Sequence, residues 1–336
     1  MEAAQSSSAT YPESAPYAHG WLEVGDGHNI YWEACGNPEG KAAVVLHGGP
    51  GSGARSAWTE LFDPDAYRIV LFDQRGCGRS RPSAAHTVDA LNGNTTRHLI
   101  ADIESLRAHL AIDRWFVLGA SWGSVLGLAY AQMHPRSVSE LVFFSVAGGT
   151  RHEVDWATRG MGRLFPAEWE RFRAGVPDAD RDGDLSAAYY RLLLDPDPAV
   201  HERAARNWCD WDDRQMRLPG HAPSRRYEDP DFRLCFARLV THYWSHGHFM
   251  HAGALAHNAS RLAGIPGILI RGALDFGPPI DFFWRLARGW PESELVVIDE
   301  EGHRGGQATD AAVVRATDRF ASRESDTAGR SATADN

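Results

Sequence analysis

Short apolar runs recur along the first half of the chain, separated by polar or helical stretches. Trp21 to Val24 and Ile30 to Ala34 form two such runs joined through Gly25-Asp26-Gly27, which predicts a hairpin. Ala42 to Leu46, Tyr67 to Phe72, Trp115 to Leu118 and Leu141 to Val146 are apolar at nearly every position. Unbroken runs of that length predict strands covered on both faces rather than one. Between them, Thr95 to Leu110 puts Leu99, Ile100, Ile103, Leu106 and Leu110 on one helical stripe, and Trp122 to Gln132 reads as a helix closed by Pro135. Near the C-terminus the strand pattern resumes at Gly267 to Arg271 and Glu294 to Ile298. Such alternation predicts an α/β fold with a mostly parallel central sheet flanked by helices.

The pattern breaks after Gly149. From Arg151 to about Arg261 the chain is rich in Trp and Arg and has no clear buried strand. Pro198 to Asp213 reads as a helix with Asp197 as its N-cap. Pro230 to Ser245 reads as another, with Phe232, Cys235, Phe236, Leu239, Val240 and Tyr243 on one stripe. The expected organisation is a core built from 17–149 and 263–322, interrupted by a helical cap over 150–262. A flexible N-terminus (1–16) and a disordered tail (323–336) flank it, because both are polar and small-residue-rich.

Composition narrows the partners. The 336 residues suffice for one large domain with an inserted subdomain. A formal net charge of −10 without any long basic run argues against nucleic acid or an anionic membrane as partner. No stretch is long and apolar enough to cross a membrane, and no secretory segment is evident. Cys35, Cys77, Cys209 and Cys235 lack disulfide or metal spacing and read as reduced thiols in a cytoplasmic protein.

The candidate chemistry sits where strands end. Trp115 to Leu118 runs into Gly119-Ala-Ser121-Trp-Gly123, the Gly-x-Ser-x-Gly elbow that lifts a nucleophilic serine onto a tight strand-to-helix turn. Small residues two positions either side let that turn form. The amide of Trp122, at the positive end of the following helix, is a candidate oxyanion donor. Ala42 to Leu46 runs into His47-Gly48-Gly49-Pro50-Gly51, a loop of the kind that supplies the second donor in α/β-hydrolases; the candidate is the amide of Gly49. Asp275 follows the strand Gly267 to Arg271, and His303 follows Glu294 to Ile298. Ser121, Asp275 and His303 thus occur in the order nucleophile, acid, base used by α/β-hydrolases, each beyond a strand on one edge of the sheet. Acyl transfer follows, with no metal or organic cofactor needed. His242, His246, His248 and His251 lie close in sequence but lack an acidic third ligand, so a metal is not expected. In Asp73-Gln-Arg-Gly-Cys-Gly-Arg-Ser80, the glycines and Arg75 are expected to brace the oxyanion loop.

Taken together, His47 to Gly51, Asp73 to Ser80, Gly119 to Ser124 and Gly302-His303 resemble the proline iminopeptidase family of α/β-hydrolases, and the resemblance runs from about Gly20 to Ala321. It implies removal of N-terminal proline, or a similar small residue, from a short peptide or small amide held against the Gly48 loop. Family members bind the substrate's cationic nitrogen with two cap glutamates. After Trp208-Cys-Asp-Trp211 the first matching position is Asp212, one methylene shorter; the second, in Phe236-Ala-Arg-Leu-Val240, is Val240. The resemblance therefore implies an amine site with one acid replaced. Either Asp212 and nearby acids such as Asp210 and Asp213 compensate, or the chain hydrolyses a different amide, ester or lactone.

Overall fold

The computed structural model describes residues 10–278 and 280–321. Eight strands form one sheet: β1 (Pro16–Glu23), β2 (Asn29–Gly36), β3 (Lys41–Leu46), β4 (Tyr67–Phe72), β5 (Trp115–Ala120), β6 (Val138–Phe144), β7 (Gly267–Gly272) and β8 (Ser293–Ile298). Their order is β1-β2-β4-β3-β5-β6-β7-β8. The β1–β2 and β2–β4 pairs are antiparallel, and every later pair is parallel. Parallel strands put their C-terminal ends on one edge. Leu46 pairs with Gly119 and Ala120 with Phe144, so the chain leaves β3, β5 and β6 at neighbouring points.

Alternate side chains of these apolar strands enter opposite layers. Val44, Leu46, Val70 and Val117 pack with Leu99, Ile103 and Leu106 of α1 (Thr96–His109) and with Leu126 and Tyr130 of α2 (Trp122–Met133). Val45, Ile69, Leu71 and Leu118 point the other way.

Between β6 and β7 the chain forms α3 (Arg151–Thr158), α4 (Pro166–Ala174), α5 (Leu185–Leu193), α6 (Pro198–Met216), α7 (Pro230–Ser245) and the short α8 (Ala254–His257), with no strand. Asp197 and Asp229 each cap the helix that follows, accepting from Ala199 N and Asp231 N, with proline at the first helical turn. The cap has its own core of Phe172, Tyr189, Trp208, Trp211 and Phe236. Helix α7 also reaches outside it. Cys235 and Leu239 pack on Cys77, Ala90 and Leu91, and Tyr243 joins the α1–α2 layer. Finally α9 (Ile280–Gly289) covers the first layer, while Val313, Ala316 and Phe320 of α10 (Gln307–Ala321) complete the second.

Several boundaries differ from the sequence reading. Strand β6 starts at Val138, before the unbroken apolar run, because Ser139 and Glu140 are buried despite their polarity. Glu140 is compensated by Lys41 at 2.8 Å. Helix α6 continues past Asp213 to Met216. Of the N-terminal segment read as flexible, residues 1–9 lie outside the described residues. Residues 10–15 instead lie along the core, with Tyr11 N donating to Glu60 O at 2.9 Å and Ser14 N to Thr59 Oγ1 at 3.0 Å. The tail 323–336 also lies outside the described residues.

Candidate active site

The turn after β5 is tight. Ser121 sits at φ 53°, ψ −119°, a conformation that side-chain-bearing residues rarely adopt. Its neighbours leave no room for anything larger than hydrogen. A Cβ on Gly119 would lie 2.5 Å from the Gly123 carbonyl oxygen, and one on Gly123 would collide with the Leu46 carbonyl oxygen of β3. Helix α2 begins at the next residue, so its positive end faces the Ser121 side chain. The Ser124 hydroxyl fixes the turn by donating to Ser121 O at 2.6 Å.

The structure brings Ser121, Asp275 and His303 together. His303 Nε2 lies 3.0 Å from Ser121 Oγ, and His303 Nδ1 lies 2.9 Å from Asp275 Oδ2. Gly277 N donates to the other carboxylate oxygen at 3.0 Å. Ser145, just beyond β6, donates to the His303 carbonyl at 2.6 Å and holds the loop in place. Burial works against charge on both partners, yet each moves toward the charged form. Burial would lower the His303 pKa, but the adjoining Asp275 carboxylate and then Asp212 raise it above its ordinary value. Burial would raise Asp275, but His303 and Arg271 bring it below the usual carboxylate range.

Across from them lies the glycine loop. A Cβ on Gly48 would come 3.3 Å from Ser121 Cβ, so this backbone passes directly beside the serine; Gly49 has φ 115°. Among the described residues, the turn and loop hydrogen bonds use neither the amide of Gly49 nor that of Trp122. Gln74 locks the two donor segments in register. Its Nε2 donates to His47 O at 3.0 Å, and its Oε1 accepts from Trp122 Nε1 at 2.9 Å. Asp73 holds the far side of the loop by accepting from Ala54 N at 2.7 Å. Arg75, expected to brace this loop, turns away from it. Its guanidinium is occupied by Asp102 at 2.7 and 2.8 Å and by Val24 O and Gly93 O.

These groups open into a cavity of about 560 Å³ roofed by the cap, within the size range of small-molecule sites. Gly48, Gly49, Ser121, Trp122, His303 and Asp212 line it. Asp212 is buried. Its Oδ2 accepts a short hydrogen bond of 2.5 Å from Tyr227, and burial raises its pKa against the opposing pull of Tyr227 and Arg226. Val240, expected at the substrate, is not on the cavity wall. It is 1% exposed within the cap core, between the layers of Trp208, Trp211 and Phe236. An apolar side chain at this position completes that packing, and Phe236 and Trp244 of the same helix face the cavity instead. Asp210 is exposed, and Asp213 is taken by Arg304 at 2.5 Å and Arg217 at 3.4 Å. The histidine cluster serves packing: His242 meets Asn94 O and the Tyr190 hydroxyl, and His248 stacks on Trp122.

Sequence reasoning missed Glu153, a half-buried acid on the wall. It stands in the first turn of α3. Its Oε1 accepts from Gly148 N at 2.7 Å and its Oε2 from Thr150 N at 2.8 Å and the Thr150 hydroxyl at 3.1 Å. No cationic side chain pairs with it among the described residues, and burial raises its pKa against those hydrogen bonds. Thr150-x-x-Glu153 is a readable capping box. That signal marks a helix start, whereas the cavity behind it depends on how the cap folds back.

Comparison with known proteins agrees with this geometry. A family model described as the alpha/beta hydrolase fold matches residues 42–305. A probable proline iminopeptidase of Streptomyces coelicolor is 55% identical over 315 residues, covering 93% of this chain and 97% of the relative. A proline iminopeptidase of Xylella fastidiosa is 43% identical over 314 residues, covering 92% and 98%. Among solved structures, a proline iminopeptidase of Mycobacterium smegmatis superposes with a TM-score of 0.59 at 19% identity, covering 90% and 99%. An esterase of Rhodococcus gives 0.58 at 18%, covering 90% and 98%; at such identities the likeness speaks to the fold alone. Strand order, serine elbow and whole-length sequence identity converge: the chain belongs to the proline iminopeptidase family of α/β-hydrolases.

Proposed function

We propose that this protein releases an N-terminal proline, or a similar small residue, from short peptides through an acyl-enzyme on Ser121. His303 accepts the Ser121 proton through Nε2 as the hydroxyl oxygen attacks the scissile carbonyl. Asp275 fixes the tautomer with the proton on Nδ1 and stabilises the imidazolium that forms. The amides of Trp122 and Gly49 face the developing oxyanion. His303 then protonates the departing amine, and water, deprotonated by the same imidazole, releases the acyl group. The residues needed are all side chains and amides of this chain.

The observation that carries the reading is the pairing of the Ser121–His303–Asp275 chain with two carboxylates, the half-buried Glu153 and the buried Asp212, on one cavity wall. Among the described residues Glu153 has no cationic partner. A carboxylate in that state favours a cation from the substrate. The protonated nitrogen of an N-terminal proline is such a cation.

The test is hydrolysis of a prolyl arylamide, its N-acetylated form and a simple aryl ester, with Ser121→Ala as control. Preference for the free prolyl amide is expected, together with loss of all activity in Ser121→Ala. Glu153→Gln removes a hydrogen bond to a charged group, about 1.5–3 kcal/mol. It should therefore raise KM for the free amide about ten- to a hundredfold while sparing the ester. Phe236 and Trp244 make part of the wall apolar, which favours the second reading, hydrolysis of an uncharged ester or amide. Ester turnover without prolyl amide turnover would establish that reading instead.

A further inference from the structure

The cavity wall carries three arginines that the chemistry above does not use; Arg304 is paired with Asp213, which leaves Arg55 and Arg226. Arg55 belongs to the segment that follows the glycine loop, and Arg226 precedes α7. Among the described residues Arg226 has no ion pair. Its Nη2 donates to the Tyr227 hydroxyl at 3.2 Å, and its guanidinium carbon lies 5.2 and 5.5 Å from the Phe232 and Phe236 ring centroids. Its Nη1 points back to the glycine-loop segment and donates to Ser52 Oγ at 3.4 Å, three residues from Arg55. Arg55 has no ion pair among the described residues, and Arg226 is close enough to depress its pKa after burial. The acid that acts on Arg226 is Asp212, which it meets through the Tyr227 hydroxyl. Glu60 and Asp310 also line the cavity, but neither pairs with either arginine.

Two guanidinium groups lining one cavity, neither ion-paired with a carboxylate among the described residues, form a site for an anion. Guanidinium binds carboxylate in a forked, charge-assisted geometry. We propose that Arg55 and Arg226 form a carboxylate-binding subsite for the leaving portion of the substrate. The favoured substrates are then di- or tripeptides bearing a carboxylate one or two residues beyond the scissile bond. The subsite rests on the peptidase reading, and it narrows the substrate from any prolyl amide to a short zwitterion. The cation-seeking Glu153 and the anion-seeking arginines stand on separate elements of the same wall, which suits the two charged ends of such a peptide.

The experiment compares kcat/KM within matched pairs. Prolylglycine against prolylglycinamide reads a free C-terminal carboxylate; prolylglutamic acid α-amide, which keeps its side-chain carboxylate, against prolylglutamine amide reads an acidic side chain. In the wild type, at least one pair should favour the acid by about tenfold or more. In Arg55→Gln/Arg226→Gln the ratio should fall to about one. The ratio is internal to each variant, so a loss of folded protein cancels. Equal turnover within both pairs in the wild type overturns the subsite, and so does a preference that survives the double substitution. Should no prolyl substrate be cleaved at all, the peptidase reading fails, and the subsite is judged by a separate measurement. Glycylglycine, but not its amide, should slow fluorophosphonate labelling of Ser121 in the wild type and not in the double variant. Equal slowing by the two overturns it.

Discussion

Ser121 holds a backbone conformation that glycine would adopt freely. Residues held there cost about 1–3 kcal/mol, supplied by the rest of the fold. Exchanging Ser121 for alanine keeps that strain, and exchanging it for glycine removes it. Both variants should be inactive, yet Ser121→Gly should be at least as stable as Ser121→Ala by denaturant unfolding. That order reverses the usual penalty of about 0.5–1 kcal/mol for glycine relative to alanine in regular structure. A less stable glycine variant would mean that the turn is not strained. His303 makes a second prediction at this scale. Its folded pKa is raised, so the proton that blocks general-base action is lost only as pH rises through a value above the ordinary 6.5. The acid limb of kcat/KM should therefore lie above pH 6.5. In Asp275→Asn the main raising influence is gone while burial still lowers the pKa, so the limb should move toward lower pH. Activity should also fall about ten-thousandfold, as imidazole loses the partner that fixes its tautomer. A limb that stays in place would show that Asp275 does not govern the His303 charge.

Elements set how these residues meet, and Gln74 shows it. One amide side chain ties the end of the β3 loop to the first residue of α2, the two segments that offer the candidate oxyanion donors. Gln74→Leu leaves His47 O and Trp122 Nε1 without that partner and frees one segment to shift against the other. A shift of an ångström is enough to cost about a hundredfold in rate. The expected outcome is a fall in kcat of about ten- to a hundredfold with little change in KM; a change confined to KM would argue for a binding role. The sequence showed the elements and not this link. Unbroken apolar runs identified the parallel strands, and Asp197-Pro198 identified the start of α6 to the residue, because caps and periodicity are local signals. The serine elbow was legible for the same reason. Glu153 was not, although its capping box was plain: reaching the cavity depends on how α3 is set against the loop that follows β6. Val240 went the other way. Its place on the helix was readable, but whether that face met substrate or Trp208 and Trp211 was settled by packing between helices distant in sequence.

For the molecule as a whole, charge and shape act together. The sequence carries −10 overall, so the surrounding potential favours a cationic group approaching the cavity. That attraction is screened by salt over about 10 Å at 0.1 M. KM for a cationic prolyl substrate should rise with ionic strength more than KM for a neutral ester, as steady-state assays at several salt concentrations would reveal. Equal responses would mean that recognition is confined to short-range contacts. Helix α7 has a different consequence. Its side chains are divided among three apolar clusters: Phe236 and Val240 in the cap, Leu239 on the loops above the sheet, and Tyr243 in the α1–α2 layer. A segment shared in this way cannot melt with one part and remain folded with another. Cap and core should therefore behave as one cooperative unit, with a single calorimetric transition and one denaturant midpoint reported alike by cap tryptophans and by backbone signal. Leu239→Ala, which removes about 2–5 kcal/mol of packing, should lower that shared midpoint without splitting it. Inserted helices are often pictured as a lid that opens by coming loose; here the roof is riveted to the house, its long helix anchored in the layers that it covers.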